Sequence, residues 1–154
     1  RTRFPLEVAR AVREAWPAEL PLLVRISATD WYEGGWDVDE SAQVARALHA
    51  AGVDLVDVSS GGLVPDARIG PVAGEPEEGY QVPFAERIRR EAGVATAAVG
   101  LISRPAHADS IIREGRADMV FLGRELLRNP NWPQQAAREL GVESFWPPQY
   151  EWAL

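Results

Sequence analysis

Ala117-Asp118-Met119-Val120-Phe121-Leu122-Gly123-Arg124-Glu125-Leu126-Leu127-Arg128-Asn129-Pro130 is the stretch on which the fold of this chain is decided. Four apolar residues, Met119 to Leu122, run into a glycine, an arginine and the first turn of an amphipathic helix. A strand that closes at Gly-Arg where a short helix begins gathers free backbone N–H groups, the positive end of a helix dipole and a fixed cation. That set suits a phosphate group. One βα unit upstream, Thr96-Ala97-Ala98-Val99-Gly100-Leu101-Ile102 also closes its strand on a glycine. Two consecutive strand ends of this kind match the phosphate site made by the loops after strands 7 and 8 of a (β/α)8 barrel.

Working outward, strands and helices alternate. Leu6, Val8, Ala9, Val12 and Ala15 recur at helical spacing from Pro5 to Trp16, and Pro17 stops that helix. Pro21 to Ser27 is a nearly continuous apolar run with one arginine, typical of a parallel strand buried on both faces. Asp37 and Glu40 fit a capping box opening a helix that stops at Gly52. Val53 to Ser59 is the next strand. The connection from Ser60 to Gly79 holds five glycines together with Pro65, Pro71 and Pro76.

Helix resumes from Val82 to Glu91 and stops at Gly93; Val94 to Val99 is the third strand. Ser103 and Pro105 open a helix ending at Gly115, Met119 to Leu122 is the fourth strand, and Trp132 to Leu140 the last helix. Strands alternating with helices imply a parallel sheet with right-handed crossovers. The expected fold is α/β of (β/α)8 barrel type. Four βα units are half of such a barrel, which takes about 250 residues, so residues 1–154 read as one half that is completed by another. The start at Arg1, without methionine, reads as a cut edge.

Composition sets the outer limits. Hydrophobic residues make up 46% and charged residues 25%, a globular balance with enough apolar surface for a core. The net charge of −7 argues against general nucleic-acid binding, while a local basic pocket for one phosphate is still compatible with it. Every cation is an arginine. There are no cysteines, which excludes disulfides and thiolate chemistry. No apolar run reaches the length of a membrane span, so a soluble, cytoplasmic protein is expected.

Few residues are candidates for chemistry. Arg25 interrupts an apolar strand; it either reaches solvent at the strand end or faces a ligand at the barrel mouth. Gly100, Gly123 and Arg124 form the phosphate hypothesis. Against it, both glycines also suit tight turns, and Arg124 could pair with Glu125 or Asp118. Ser59-Ser60-Gly61-Gly62 reads as a flexible exit from its strand. His49 and His107 fall on helices and read as surface positions, and no motif supports a metal site. Trp31, Tyr32 and Trp36 cluster after the first strand as a pocket wall, an oligomer contact or a lid.

Five motifs in order, Pro21 to Ser27, Val53 to Gly61, Gly79 to Ala85, Ala98 to Ile102 and Gly123 to Pro130, resemble the Old Yellow Enzyme family, most of all its YqjM-like, thermophilic-type ene-reductases. The resemblance covers nearly the whole chain and corresponds to the C-terminal half of that family's FMN-binding barrel. It implies a flavoenzyme in which hydride passes from NADPH to FMN and on to the β-carbon of an α,β-unsaturated carbonyl compound (an enone). By motif, Arg25 would contact the flavin ring, and Gly100, Gly123 and Arg124 would hold the FMN phosphate.

The family's substrate-orienting histidines, proton-donating tyrosine and flavin-tuning cysteine belong to the N-terminal half. The resemblance therefore gives this chain no catalytic residue of its own. It implies an N-terminal partner half and a homo-oligomer, with no nucleic acid or membrane partner. Two departures stand out: the acidic connection Gly74-Glu75-Pro76-Glu77-Glu78-Gly79, and Trp152 after Gln149-Tyr150-Glu151 where relatives carry an arginine. Another FMN barrel oxidoreductase and a non-catalytic half-barrel module are the competing readings.

Overall fold

The computed structural model describes residues 1–63, 69, 76–144 and 146–153. Pro65, Gly70, Pro71, Gly74 and Glu75 of the long connection lie outside the described residues. The elements are α1 (Arg3–Ala15), β1 (Leu23–Ser27), α2 (Val38–Ala50), β2 (Leu55–Ser59), α3 (Val82–Ala92), β3 (Ala95–Ala98), α4 (Pro105–Arg113), β4 (Met119–Val120), α5 (Arg124–Arg128) and α6 (Trp132–Leu140), then a 3-10 helix, Pro148–Ala153. The four strands pair in parallel in the order β1-β2-β3-β4, as consecutive strands of a (β/α)8 barrel do.

Alternation along the strands divides the sheet into two faces. Val24 and Ile26 of β1, Val56 and Val58 of β2 and Ala98 of β3 pack toward the helices. The helices answer with Val44, Ala45 and Leu48 of α2, Val82, Ala85 and Ile88 of α3, and Ala108 and Ile111 of α4. The opposite face carries Leu23, Arg25 and Ser27, all exposed on β1. On β2 the same face is filled by Leu55 and Asp57, both buried.

Local signals place the helices. Asp37 accepts a hydrogen bond from the Glu40 amide at 2.9 Å and Glu40 reaches back to the Asp37 amide, so the capping box forms as read. Gly93 and Gly141 end α3 and α6 in the left-handed conformation. The fourth strand is shorter than Met119 to Leu122: regular pairing stops at Val120, although the Phe121 amide still donates to Ala98 O at 2.8 Å. The chain turns there into α5, and no further strand flanks β4 among the described residues to keep it extended. On α1, Ala9 is buried but Val8 and Val12 are exposed, because the helix finds its main helical neighbour in α2 alone.

Two copies of one clasp fasten the N-terminal ends of the strands. The Asp54 carboxylate accepts the Leu22 amide at 2.7 Å while the Asp54 amide donates to Leu22 O at 2.9 Å. Asp118 repeats this on Thr96, at 2.9 Å and 2.8 Å. Each carboxylate also meets an arginine from the helix that precedes the first strand of its pair: Arg13 at 3.4 Å from Asp54, and Arg89 in a two-pronged contact of 2.9 and 3.0 Å with Asp118. The Arg89 hydrogen bond holds the Asp118 carboxyl below the usual carboxylate range.

Candidate functional site

At the other end of the sheet, the chain leaves β3 through two residues of positive φ, Gly100 at 124° and Leu101 at 54°. Glycine is required at 100, since a Cβ there would lie 2.9 Å from Gln81 Nε2 and 3.0 Å from Tyr80 Cε1. Gly123, after β4, differs: its φ is −94°, and a Cβ would meet no atom within 4 Å. Packing within the chain does not demand a glycine at 123. A side chain there would instead take up part of the cavity that residue lines.

That cavity, of about 450 Å³, brings Gly100, Gly123 and Arg124 together, with Leu101, Ile102, Ser103, Tyr80 and Gln81 among its other walls. Among the described residues, the N–H groups of Gly100, Leu101 and Ile102 have no acceptor. Arg124 is exposed and forms no ion pair with any described residue: Glu125 pairs with Arg128 and Asp118 with Arg89. The competing ion pairs considered for Arg124 do not form. Among the described residues, three amides without an acceptor and one guanidinium without an ion pair therefore belong to residues lining a single space, an arrangement suited to an anion with several acceptor oxygens.

Arg25 lies apart from this group. It forms an ion pair with Asp57, its register partner on β2, across the inner face of the sheet. Its side chain is 59% exposed and that of Asp57 7%. It lines a neighbouring cavity of about 510 Å³, which shares Val99, Phe121 and Gly123 with the first. The two cavities thus lie side by side at the C-terminal ends of β3 and β4, with Arg124 lining one and Arg25 the other.

Several supporting residues escaped the sequence reading. Trp31 Nε1 donates to Ser60 Oγ at 2.9 Å, Ser60 to Gln81 Oε1 at 2.7 Å, and Gln81 Nε2 to Val99 O at 2.9 Å. Ser60 is thus a junction and not a loose exit. Gln81 is buried and precedes α3 without capping it. A glutamine where Ser, Asp or Asn would cap better was the available signal that its side chain is engaged elsewhere.

The aromatic trio divides: Trp31 packs on Tyr80 and Phe84, Trp36 donates to Ser41, and Tyr32 is exposed. His107 is not a surface residue; its ring packs on Gly79, with Nδ1 3.3 Å from Glu78 Oε1 yet unaligned for a hydrogen bond. His49 is exposed.

Ser103 does not cap α4. The N-cap is Arg104, whose side chain makes no cap, and the amides of Ser103 and Arg104, just ahead of the helix, both donate to Glu78, which lies 25 residues upstream of Ser103. The Glu78 carboxylate accepts from Ser103 N, Ser103 Oγ, Arg104 N and Arg104 Nε at 3.2, 3.3, 3.3 and 2.8 Å. Burial opposes its ionisation most strongly, but the Arg104, Ser103 and His107 contacts together outweigh it and hold the group down to about 2.

A family model described as the NADH:flavin oxidoreductase / NADH oxidase family matches residues 1–143. The chain belongs to that family. It is 54% identical over 151 residues to an NADPH dehydrogenase of Geobacillus thermodenitrificans, covering 98% of this chain and 42% of the relative. Its identity to an NADPH dehydrogenase of Listeria monocytogenes is 46% over 150 residues, 97% of this chain and 42% of the relative. The chain therefore spans less than half the length of these curated relatives. A solved racemase from Streptomyces coelicolor A3(2) with bound magnesium superposes with a TM-score of 0.56 at 17% identity, over 90% of this chain and 32% of that one, a likeness of fold alone.

The family is one of flavin oxidoreductases, and the names of these relatives support FMN and NADPH as its cofactors. The chain's own residues fit the first of these. A family built to hold a flavin phosphate needs unpaired amides and a fixed cation beside a residue without a side chain, which is what Leu101, Arg124 and Gly123 offer. Among the described residues no helix is long and apolar enough to cross a membrane, and no group of three or more His, Cys, Asp or Glu could hold a metal ion.

Proposed function

We propose that residues 1–154 form the C-terminal, cofactor-holding half of an FMN barrel that oxidises NADPH and reduces the C=C bond of α,β-unsaturated carbonyl compounds. The observation that carries this reading is that one cavity is lined by Gly100, Leu101 and Ile102, whose amides have no acceptor among the described residues, and by Arg124, whose guanidinium has no ion pair among them. In this reading Gly100, Gly123 and Arg124 hold the FMN phosphate, and Arg25 places a permanent positive charge beside the flavin ring. When bound, the flavin supplies two-electron hydride transfer. Asp57 keeps Arg25 at a fixed height on the inner face of the sheet.

The residues that orient and protonate the substrate come from an N-terminal half. This chain alone does not turn over enones, and its assembly is a homo-oligomer of completed barrels. The test is Arg124→Ala in the completed barrel. Loss of a charge-assisted hydrogen bond worth roughly 1.5–3 kcal/mol weakens FMN about ten- to a hundredfold, while riboflavin, which lacks the phosphate, binds both forms equally. Equal weakening of the two flavins would show that Arg124 supports the fold and does not hold the phosphate.

A further inference from the structure

We propose that Glu78 is a positioning residue for the phosphate pocket: its carboxylate pins the loop between β3 and α4, so that Gly100, Leu101 and Ile102 present their amides as a fixed wall. This rests on the reading that the pocket takes a phosphate. The loop has little to hold it otherwise. No backbone hydrogen bond forms within residues 100–104 among those described. Its anchors come from outside: four donor contacts to Glu78, the Gly79 amide on Gly100 O at 2.8 Å, and Trp132 Nε1 on Ser103 O at 2.7 Å.

Glu78 also fixes direction. It holds Ser103 and Arg104, the two residues that lead into α4, whose own N-cap side chain makes no cap, and it sits beside the Gly79 backbone, where a Cβ would fall 2.6 Å from the His107 ring. Residues 78–81 and 99–107 are in this way locked edge to edge, and the amides left over between the anchors belong to Gly100, Leu101 and Ile102, which line the cavity. Pre-set donors bind an anion without a cost of ordering them at the moment of binding. Glu78 itself does not line the cavity. A carboxylate facing a phosphate would repel it, whereas one placed behind the loop organises the donors and is neutralised by Arg104.

The experiment compares Glu78→Asp, Glu78→Gln and Glu78→Ala in the holoprotein, measuring dissociation of FMN and of riboflavin by flavin fluorescence. Glu78→Ala is expected to weaken FMN about tenfold with riboflavin within about twofold, and Glu78→Asp and Glu78→Gln to fall between it and the native protein, aspartate retaining more. If all three variants keep the native FMN-to-riboflavin ratio, or lose both flavins in step, the positioning role is wrong. Arg124→Ala, run in parallel, separates the two claims. If it lowers the ratio while no Glu78 variant does, the pocket reading stands and the role of Glu78 falls. If it leaves the ratio unchanged, the pocket reading itself fails.

Discussion

Arg25 and Asp57 face each other as register partners on adjacent parallel strands and form an ion pair in which one member is largely wet and the other largely dry. The second oxygen of Asp57, Oδ1, is buried without a hydrogen bond from any described residue. The consequences of removing either partner are therefore unequal.

Arg25→Ala leaves a buried carboxylate with neither counter-charge nor donor and is expected to cost about 2–3 kcal/mol. Asp57→Ala leaves an arginine that water can serve, at about 1 kcal/mol. Urea midpoints of the two variants should rank in that order; the reverse order would mean that the pair is held for the arginine's sake.

Acid should loosen the junction between α3 and α4. Glu78 is held down to about 2 in the folded chain, below its ordinary value of 4.5. Its contribution is complete above about pH 4.5, declines as pH falls, and is gone below about pH 2. The difference in unfolding free energy between the native chain and Glu78→Gln, at most about 3 kcal/mol, should shrink across that window. A difference that stays constant from pH 6 to pH 2.5 would contradict it.

Gly100 and Gly123 should respond differently to alanine. Gly100→Ala forces a Cβ onto a φ of 124° and against Gln81 and Tyr80, and is expected to destabilise by about 2 kcal/mol or more. Gly123→Ala meets no atom and should unfold within about 0.5 kcal/mol of the native chain. Its effect should show in FMN affinity, measured beside riboflavin.

Breaking the Ser60–Gln81–Val99 chain tests the packing behind the pocket. Gln81→Leu keeps the volume but strands the half-buried donor and acceptor the amide joined, and should lower the unfolding free energy by about 1–3 kcal/mol. Thermal unfolding of this variant against Gln81→Glu separates lost shape from lost hydrogen bonds.

What could be read from the sequence was what local chemistry determines. Asp37 and Glu40 are three residues apart, so their capping box needs no tertiary knowledge, and Gly93 and Gly141 end their helices by backbone freedom alone. Parallel pairing followed from alternation, because parallel strands require crossovers. The strand-end glycines and Arg124 could be named because they sit at the same point of two successive units. The Glu78 anchor ahead of α4 could not be found in this way. Ser103 is the local capping candidate, yet its amide and its hydroxyl both donate to Glu78, a partner 25 residues away in sequence. The Arg25–Asp57 pair depends on register, which spacing along one strand does not fix. His107 looked like a surface residue because the glycine that makes room for its ring lies on another loop.

The two Asp–Arg clasps, at Asp54 and Asp118, close at the end of the sheet opposite Gly100 and Gly123. Each anchors a pair of strands without borrowing a residue from the loops that line the cavities. Division of labour between the rims gives the scaffold room to evolve: loops on the functional rim can lengthen, shorten or be exchanged by grafting while the strands stay in register from below. The acidic Glu77-Glu78 loop beside the pocket is the kind of local elaboration that such an arrangement tolerates.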